Sequence, residues 1–170
     1  MQVIRKLVLT CIVPKITYGG ETWEPNKGET EKLNQILDQI IKRVLMTPTS
    51  TPREALYIET GLLDIQTLIT RNRINMKARL NRNTSELMEN LLNYPGAKWS
   101  KKTSTLMQEI NITNEELEGT KHTTKKIVET KTAAHFKNII HEKGENKSKI
   151  QNLLTQIDGW EPEKTPNYLN

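Results

Sequence analysis

The chain has 170 residues, 35% of them hydrophobic and only one a Phe, which suffices for one modest core or two small helical ones. Cys11 is the sole cysteine, excluding an internal disulfide and any metal centre built from several thiolates. The net charge is +5, and no apolar run approaches the roughly 18 residues needed to cross a bilayer.

Val3, Ile4, Leu7, Val8, Cys11 and Ile12 recur at helical spacing and predict a first helix, which Pro14 kinks or ends because it has no N–H to donate. Arg5 and Lys6 before this apolar run resemble the start of a secretory signal. Pro14 and Lys15 follow at once, however, and no small-residue cleavage site is present. Cys11 lies on the apolar face and reads as a buried structural cysteine. Tyr18-Gly19-Gly20 breaks the chain. Asn26 with Glu29 forms a capping-box pattern, and Leu33, Ile36, Leu37, Ile40, Ile41, Val44 and Leu45 supply the apolar stripe of a second helix.

Thr47 to Pro52 is a loop, and Thr51, Pro52 and Glu54 together predict the start of a short third helix that stops at Gly61. A longer helix is expected from about Asp64 to Arg82, with Ile65, Leu68, Ile69, Met76 and Leu80 inward, and a short one over Glu86 to Leu92 before Tyr94-Pro95-Gly96. Beyond Gly96 the texture turns polar. Thr113 with Glu116 is a further capping box, opening a polar helix to about Lys143. A last amphipathic helix carries Ile150, Leu153, Leu154 and Ile157, and the Pro-rich end from Trp160 to Asn170 reads as frayed. These elements predict an all-α, irregular bundle of about five to seven helices. Its core comes mainly from residues 1–92, and its C-terminal part, 93–170, is polar and less ordered.

The charge is unevenly placed. Arg71, Arg73, Lys77, Arg79 and Arg82 lie in a stretch with no acidic residue between Asp64 and Glu86, whereas the other basic residues equal the acidic ones in number. In the tail, Lys121, Lys125, Lys126 and Lys131 have glutamates nearby in sequence. A concentrated basic stripe is the footprint of a polyanion site, although a solvated helix face has the same pattern. On a helical wheel Arg71 and Arg82 flank one edge of the apolar face, Arg73 and Lys77 the other.

Catalytic chemistry lacks its parts. Nucleotidyl transfer needs clustered carboxylates for two metal ions, and the three aspartates, Asp38, Asp64 and Asp158, are widely separated. His135 and His141 are not at ligand spacing, and Gly19-Gly20 lacks the pattern of a phosphate loop. No metal site or cofactor is expected, and no enzyme activity of the chain alone.

The stretch Ile12-Val13-Pro14-Lys15-Ile16-Thr17-Tyr18-Gly19-Gly20-Glu21-Thr22-Trp23 resembles the hydrophobic-x-Pro-x-Leu-x-Tyr-Gly-x-Glu-Thr-Trp segment of non-LTR (LINE-type) retrotransposon reverse transcriptases. There this segment follows the polymerase palm. The similarity continues in order through a helix ending in Lys42-Arg43, then Pro52-Arg53-Glu54-Ala55-Leu56-Tyr57-Ile58-Glu59-Thr60-Gly61-Leu62, then an Arg-rich helix closing with Arg79-Leu80-Asn81-Arg82. It covers roughly residues 1–92. The resemblance implies a thumb-like helical region at 1–92 without the palm that holds the catalytic aspartates. It implies contacts to the backbone of a primer–template RNA or DNA duplex through Lys42, Arg43, Arg71, Arg73, Lys77, Arg79 and Arg82, without sequence specificity. It marks Pro14, Tyr18, Gly19, Glu21, Trp23, Pro52 and Gly61 as structural motif positions. Many relatives carry a cysteine-histidine knuckle, which a chain with one cysteine cannot form.

Read as residues alone, Tyr18 and Trp23 are core or hinge packing, Glu21 is a helix cap, Lys42 and Arg43 are a solvated rim, and Trp99 beside Lys98, Lys101 and Lys102 is an aromatic-basic patch. The expectation is therefore a non-catalytic, intracellular, nucleic-acid-binding fragment, in cytoplasm or nucleus, with the missing palm or another protein as a further partner and no membrane. The alternatives are a small helical protein-interaction module or a decayed retroelement fragment without selected function.

Overall fold

The computed structural model describes residues 2–23, 25–83, 85–94, 97–145, 148–156 and 160–163. Among the described residues every regular element is helical and none is a strand, as the periodicity predicts. The expected Pro95-Gly96 turn, Ile157 and the last residues of the tail lie outside them.

The N-terminal run stays helical past the proline: α1 (Gln2–Leu7), a π-helical turn (Val8–Ile12) and α2 (Val13–Ile16) follow without a break. Pro14 cannot donate to the carbonyl of Thr10, and the wider turn just before it absorbs the lost bond. The widening also shifts the register. The buried face runs from Val8 to Val13 and Thr17, while Cys11 is exposed instead of buried as its α-helical spacing suggested.

The box predicted at Asn26 forms. Asn26 Oδ1 accepts from Glu29 N at 2.9 Å and Glu29 Oε2 accepts from Asn26 N at 2.8 Å, opening α3 (Lys27–Leu45). The buried face of α3 is not the purely apolar one: Thr30, Asn34, Leu37, Asp38 and Ile41 point inward, and Ile36 and Val44 face solvent. Donors meet the amide oxygen of Asn34 and one carboxylate oxygen of Asp38. Asn34 Oδ1 accepts from Ile65 N at 2.9 Å and from the Tyr57 hydroxyl at 3.4 Å. Asp38 Oδ2 accepts from Arg53 Nε at 2.6 Å, while the same guanidinium grips Glu31 with both terminal nitrogens at 2.7 and 2.8 Å.

Helix α4 (Arg53–Thr60) begins one residue later than Thr51, Pro52 and Glu54 suggested. Pro52 is the N-cap, and Thr51 N turns back to Pro48 O at 3.0 Å. Its end is as expected: Gly61 takes a left-handed conformation (φ 65°), and its N–H bonds Tyr57 O at 2.9 Å. The remaining elements are α5 (Ile65–Arg82), α6 (Glu86–Asn93), α7 (Lys98–Glu109), α8 (Asn114–Leu117), α9 (Lys121–Glu145) and α10 (Ser148–Gln156). The polar helix expected from Thr113 to Lys143 is thus two. The Thr113–Glu116 box opens only the single turn of α8.

The chain forms two compact units that interleave in sequence, so residue 92 is not a boundary. The first comprises residues 1–18, 25–67 and 133–170. Its core includes Leu37, Ile41, Leu56 and Ile58, and Tyr57 meets Phe136 edge-on, ring centroids 5.8 Å apart. Of the segment expected to fray, residues 160–163 are anchored here: Trp160 Nε1 donates to Ile58 O at 3.1 Å, and Glu163 N to Gly61 O at 2.8 Å. The second unit comprises residues 19–24 and 68–132, around a core of Ile74, Ala78, Met107, Ile110, Ile112, Leu117 and Val128. Residues beyond 92 therefore supply much of the interior, including Leu117, Val128, Phe136 and Ile140, each no more than 2% exposed.

Candidate nucleic-acid interface

The basic stripe of α5 divides in two. Arg71, Arg73 and Lys77, expected at the edges of an outward face, are buried in the second unit. Arg71 Nε donates to Thr132 Oγ1 at 2.9 Å, and one terminal nitrogen to Glu129 O at 3.3 Å. Arg73 Nε donates to Thr103 Oγ1 at 2.9 Å and a terminal nitrogen to Trp99 O at 3.2 Å, with the guanidinium 5.4 Å from the Trp99 ring centroid. Lys77 Nζ donates to Ser104 Oγ at 3.1 Å, and burial lowers the pKa of this amine. The accepting threonines bond their own helices in turn, Thr103 to Trp99 O at 2.6 Å and Thr132 to Val128 O at 2.7 Å. These three cations therefore tie α5 to α7 and α9, and their heads are occupied inside the protein. The reason lies in the opposing helices, whose small hydroxyl side chains and freed carbonyls form acceptors that α5's own sequence does not reveal.

Trp99 belongs to this interior arrangement rather than to an open aromatic-basic patch. It is half-buried, and its indole N–H donates to Glu21 O at 2.7 Å. That bond gives Glu21 a positional role instead of the expected cap. Tyr18 is 87% exposed and Trp23 38% exposed, so neither is core packing. Gly19 holds a left-handed turn (φ 69°), with Thr22 N and Trp23 N both donating to its carbonyl.

The other half of the stripe remains outward. Asn72, Asn75, Met76, Arg79 and Arg82 recur along one side of α5 and, with Asn83 just past its end, form one wall of a groove of about 630 Å³. The opposite wall is the first two turns of α9, through Lys121, Thr124 and Lys125, and Glu21 completes the lining. Among the described residues, four cations thus share the groove with one acidic residue. Arg82 is oriented by a 3.4 Å bond to Thr124 Oγ1. Lys125 makes a long 3.8 Å pair with Glu129, side chain to side chain in solvent. Lys121 opens α9, where no acidic residue sits in the first turn. A cation at a helix N-terminus opposes the macrodipole, and a bound anion relieves that opposition.

Lys121 and Lys125 do not stand out in sequence, where nearby glutamates balance them. Only the pairing of α9 with α5 brings them beside Arg79 and Arg82. Of the remaining candidates, Lys42 and Arg43 lie in the first unit at the end of α3. Lys42 Nζ donates to Thr49 O at 2.6 Å, which fastens the Thr47–Pro52 loop, and Arg43 is exposed.

Among the described residues no group of three or more His, Cys, Asp or Glu is placed to hold a metal ion, and no helix is long and apolar enough to cross a membrane. Asp38 is engaged by Arg53, and Asp64 Oδ1 accepts from Thr67 N at 2.8 Å as the cap of α5. The chain matches no protein-family model, no curated protein and no solved structure.

Proposed function

We propose that this chain is a non-catalytic, thumb-like region of a retrotransposon-type reverse transcriptase that binds nucleic-acid backbone without sequence specificity. The observation that carries the reading is the groove in which Arg79, Arg82, Lys121 and Lys125 converge, with Glu21 the one acidic residue among the described residues that line it. Phosphates supply the negative charge that such a set attracts, and guanidinium and ammonium donors hold a backbone without reading sequence. The ordered motifs of residues 1–92 support the same reading. Its setting is intracellular, in cytoplasm or nucleus, where the partner is found. The contact set moves from the one expected in sequence: Arg79 and Arg82 stay, Lys121 and Lys125 join, and Arg71, Arg73 and Lys77 serve the fold.

The test is salt-dependent binding to a short duplex, with affinity in the micromolar-to-100 µM range at physiological salt and a log–log slope of about −0.9 per phosphate neutralised. Replacing Arg79, Arg82, Lys121 and Lys125 with Gln flattens that slope by about three to four units. The control removes equal charge from exposed lysines of the first unit, Lys6, Lys15, Lys27 and Lys32, and leaves the slope nearly unchanged. Equal effects of both sets would reduce the idea to general basicity. Absence of any salt-sensitive binding would favour a protein-docking module instead, the reading supported by Val3, Leu7 and Tyr18, exposed at 72%, 56% and 87%.

A further inference from the structure

The lining of the groove is richer than a backbone contact requires. A phosphate diester offers only acceptors, which the guanidinium and ammonium groups already satisfy. The groove is also lined by Asn72, Asn75 and Asn83, whose carboxamide oxygens a phosphate leaves unused. Among the described residues those three carboxamides make no side-chain hydrogen bond within the chain. A nucleobase edge presents donors and acceptors side by side and uses both halves of a carboxamide. Met76 and the alkyl stems of the flanking Arg and Lys side chains add an apolar surface for the face of a base.

Shape points the same way. A duplex has its bases stacked inside a convex exterior and touches only the rim of a concave groove. At about 630 Å³ the groove falls in the range, roughly 300–1,000 Å³, of sites that enclose small-molecule ligands. We propose that the groove between α5 and the start of α9 seats an unpaired nucleotide of a single strand. The strand's phosphates lie on Arg79, Arg82, Lys121 and Lys125, and the base lies against Asn72, Asn75 and Met76. The inference rests on the nucleic-acid reading above and adds to its backbone contacts the seating of one unpaired base.

The experiment measures binding of the full chain, by fluorescence anisotropy at fixed salt, to three labelled DNA probes of equal length. These are a mixed-sequence single strand, the same strand made abasic throughout, and a blunt duplex. The base-bearing strand binds about tenfold more tightly than the abasic one, the equivalent of one stacked and hydrogen-bonded base. The double variant Asn72→Ala, Asn75→Ala brings the base-bearing strand down to the abasic level and leaves the duplex and abasic affinities unchanged, which also shows that it is folded. Arg79→Gln with Arg82→Gln weakens all three. Equal binding of base-bearing and abasic strands by the unaltered protein overturns the inference while leaving backbone binding in place. A proportional loss on all three probes in the Asn variant overturns the base-contact assignment as well. No salt-sensitive binding to any probe overturns both this inference and the function it rests on.

Discussion

The guanidinium of Arg73 lies 5.4 Å from the centroid of the Trp99 ring while its Nε donates to Thr103 Oγ1, so one side chain of α5 stacks on and hydrogen-bonds α7 at once. Trp99 in turn donates its indole N–H to Glu21 O, which places the carboxylate residue of the groove. An interior cation thereby helps to position the surface at which ligand binding is proposed.

Arg73→Met removes charged hydrogen bonds to Thr103 and the Trp99 carbonyl together with the ring contact, and is expected to destabilise the protein by about 2–3 kcal/mol. Lys77→Met removes one bond to Ser104 and also the burden of a charge that burial disfavours, and is expected to be neutral or stabilising. The amine's pKa is lowered in the folded state. The burden is therefore present at neutral pH and eases as pH rises toward 10.5. Urea unfolding of both variants checks the contrast; equal losses contradict it.

Acid should destabilise both units. The Arg53 guanidinium holds the Glu31 carboxyl below its ordinary 4.5, and the bond from Lys131 Nζ does the same for Glu116. Each contribution is complete above about pH 4.5, where both states are ionised, and is lost as pH falls through the lowered folded value. Glu31→Gln and Glu116→Gln should each reduce the loss of stability between about pH 5 and pH 3, measured by denaturant titration. Glu31 is exposed and Glu116 only part-buried, so the effects are small. An unchanged acid dependence in the double variant excludes these pairs as its source.

Gly61 ends α4 at φ 65°, where an L-residue is strained, and its carbonyl also accepts from Glu163 N. Gly61→Ala is expected to cost about 1–2 kcal/mol. A thermal melt that does not shift downward contradicts the strain argument.

Trp160 is 4% exposed and bonds the Ile58 carbonyl, which fastens residues 160–163 to the first unit. Trp160→Ala should cost about 3–5 kcal/mol and expose the 148–163 region to protease. Wild-type stability in that variant would return the tail to the frayed state that its composition suggests.

Purified protein is expected to show no primer extension with Mg²⁺ or Mn²⁺, since Asp38 is held by Arg53 and Asp64 caps α5. Extension that is abolished by Asp38→Ala or Asp64→Ala contradicts this.

Local chemistry made much of the architecture legible. Asn26 with Glu29, Thr113 with Glu116 and Gly61 satisfy or terminate backbone groups within a turn of themselves, so their roles follow from spacing alone. The all-helical class follows from the apolar period for the same reason. Residues whose fate depends on an opposing element were not legible. Arg71, Arg73 and Lys77 carry charge on a helix edge, and whether such a charge meets water or a threonine hydroxyl depends on α7 and α9. Cys11 turned outward because the π-turn before Pro14 shifted the register of its helix. Lys121 and Lys125 lie about forty residues from Arg79 and Arg82, and no local rule joins groups at that separation. Sequence by itself determined the helices, their caps and the uneven charge. Tertiary packing decided which charges became internal ties and which became the walls of a groove, because burial is a property of the space between helices.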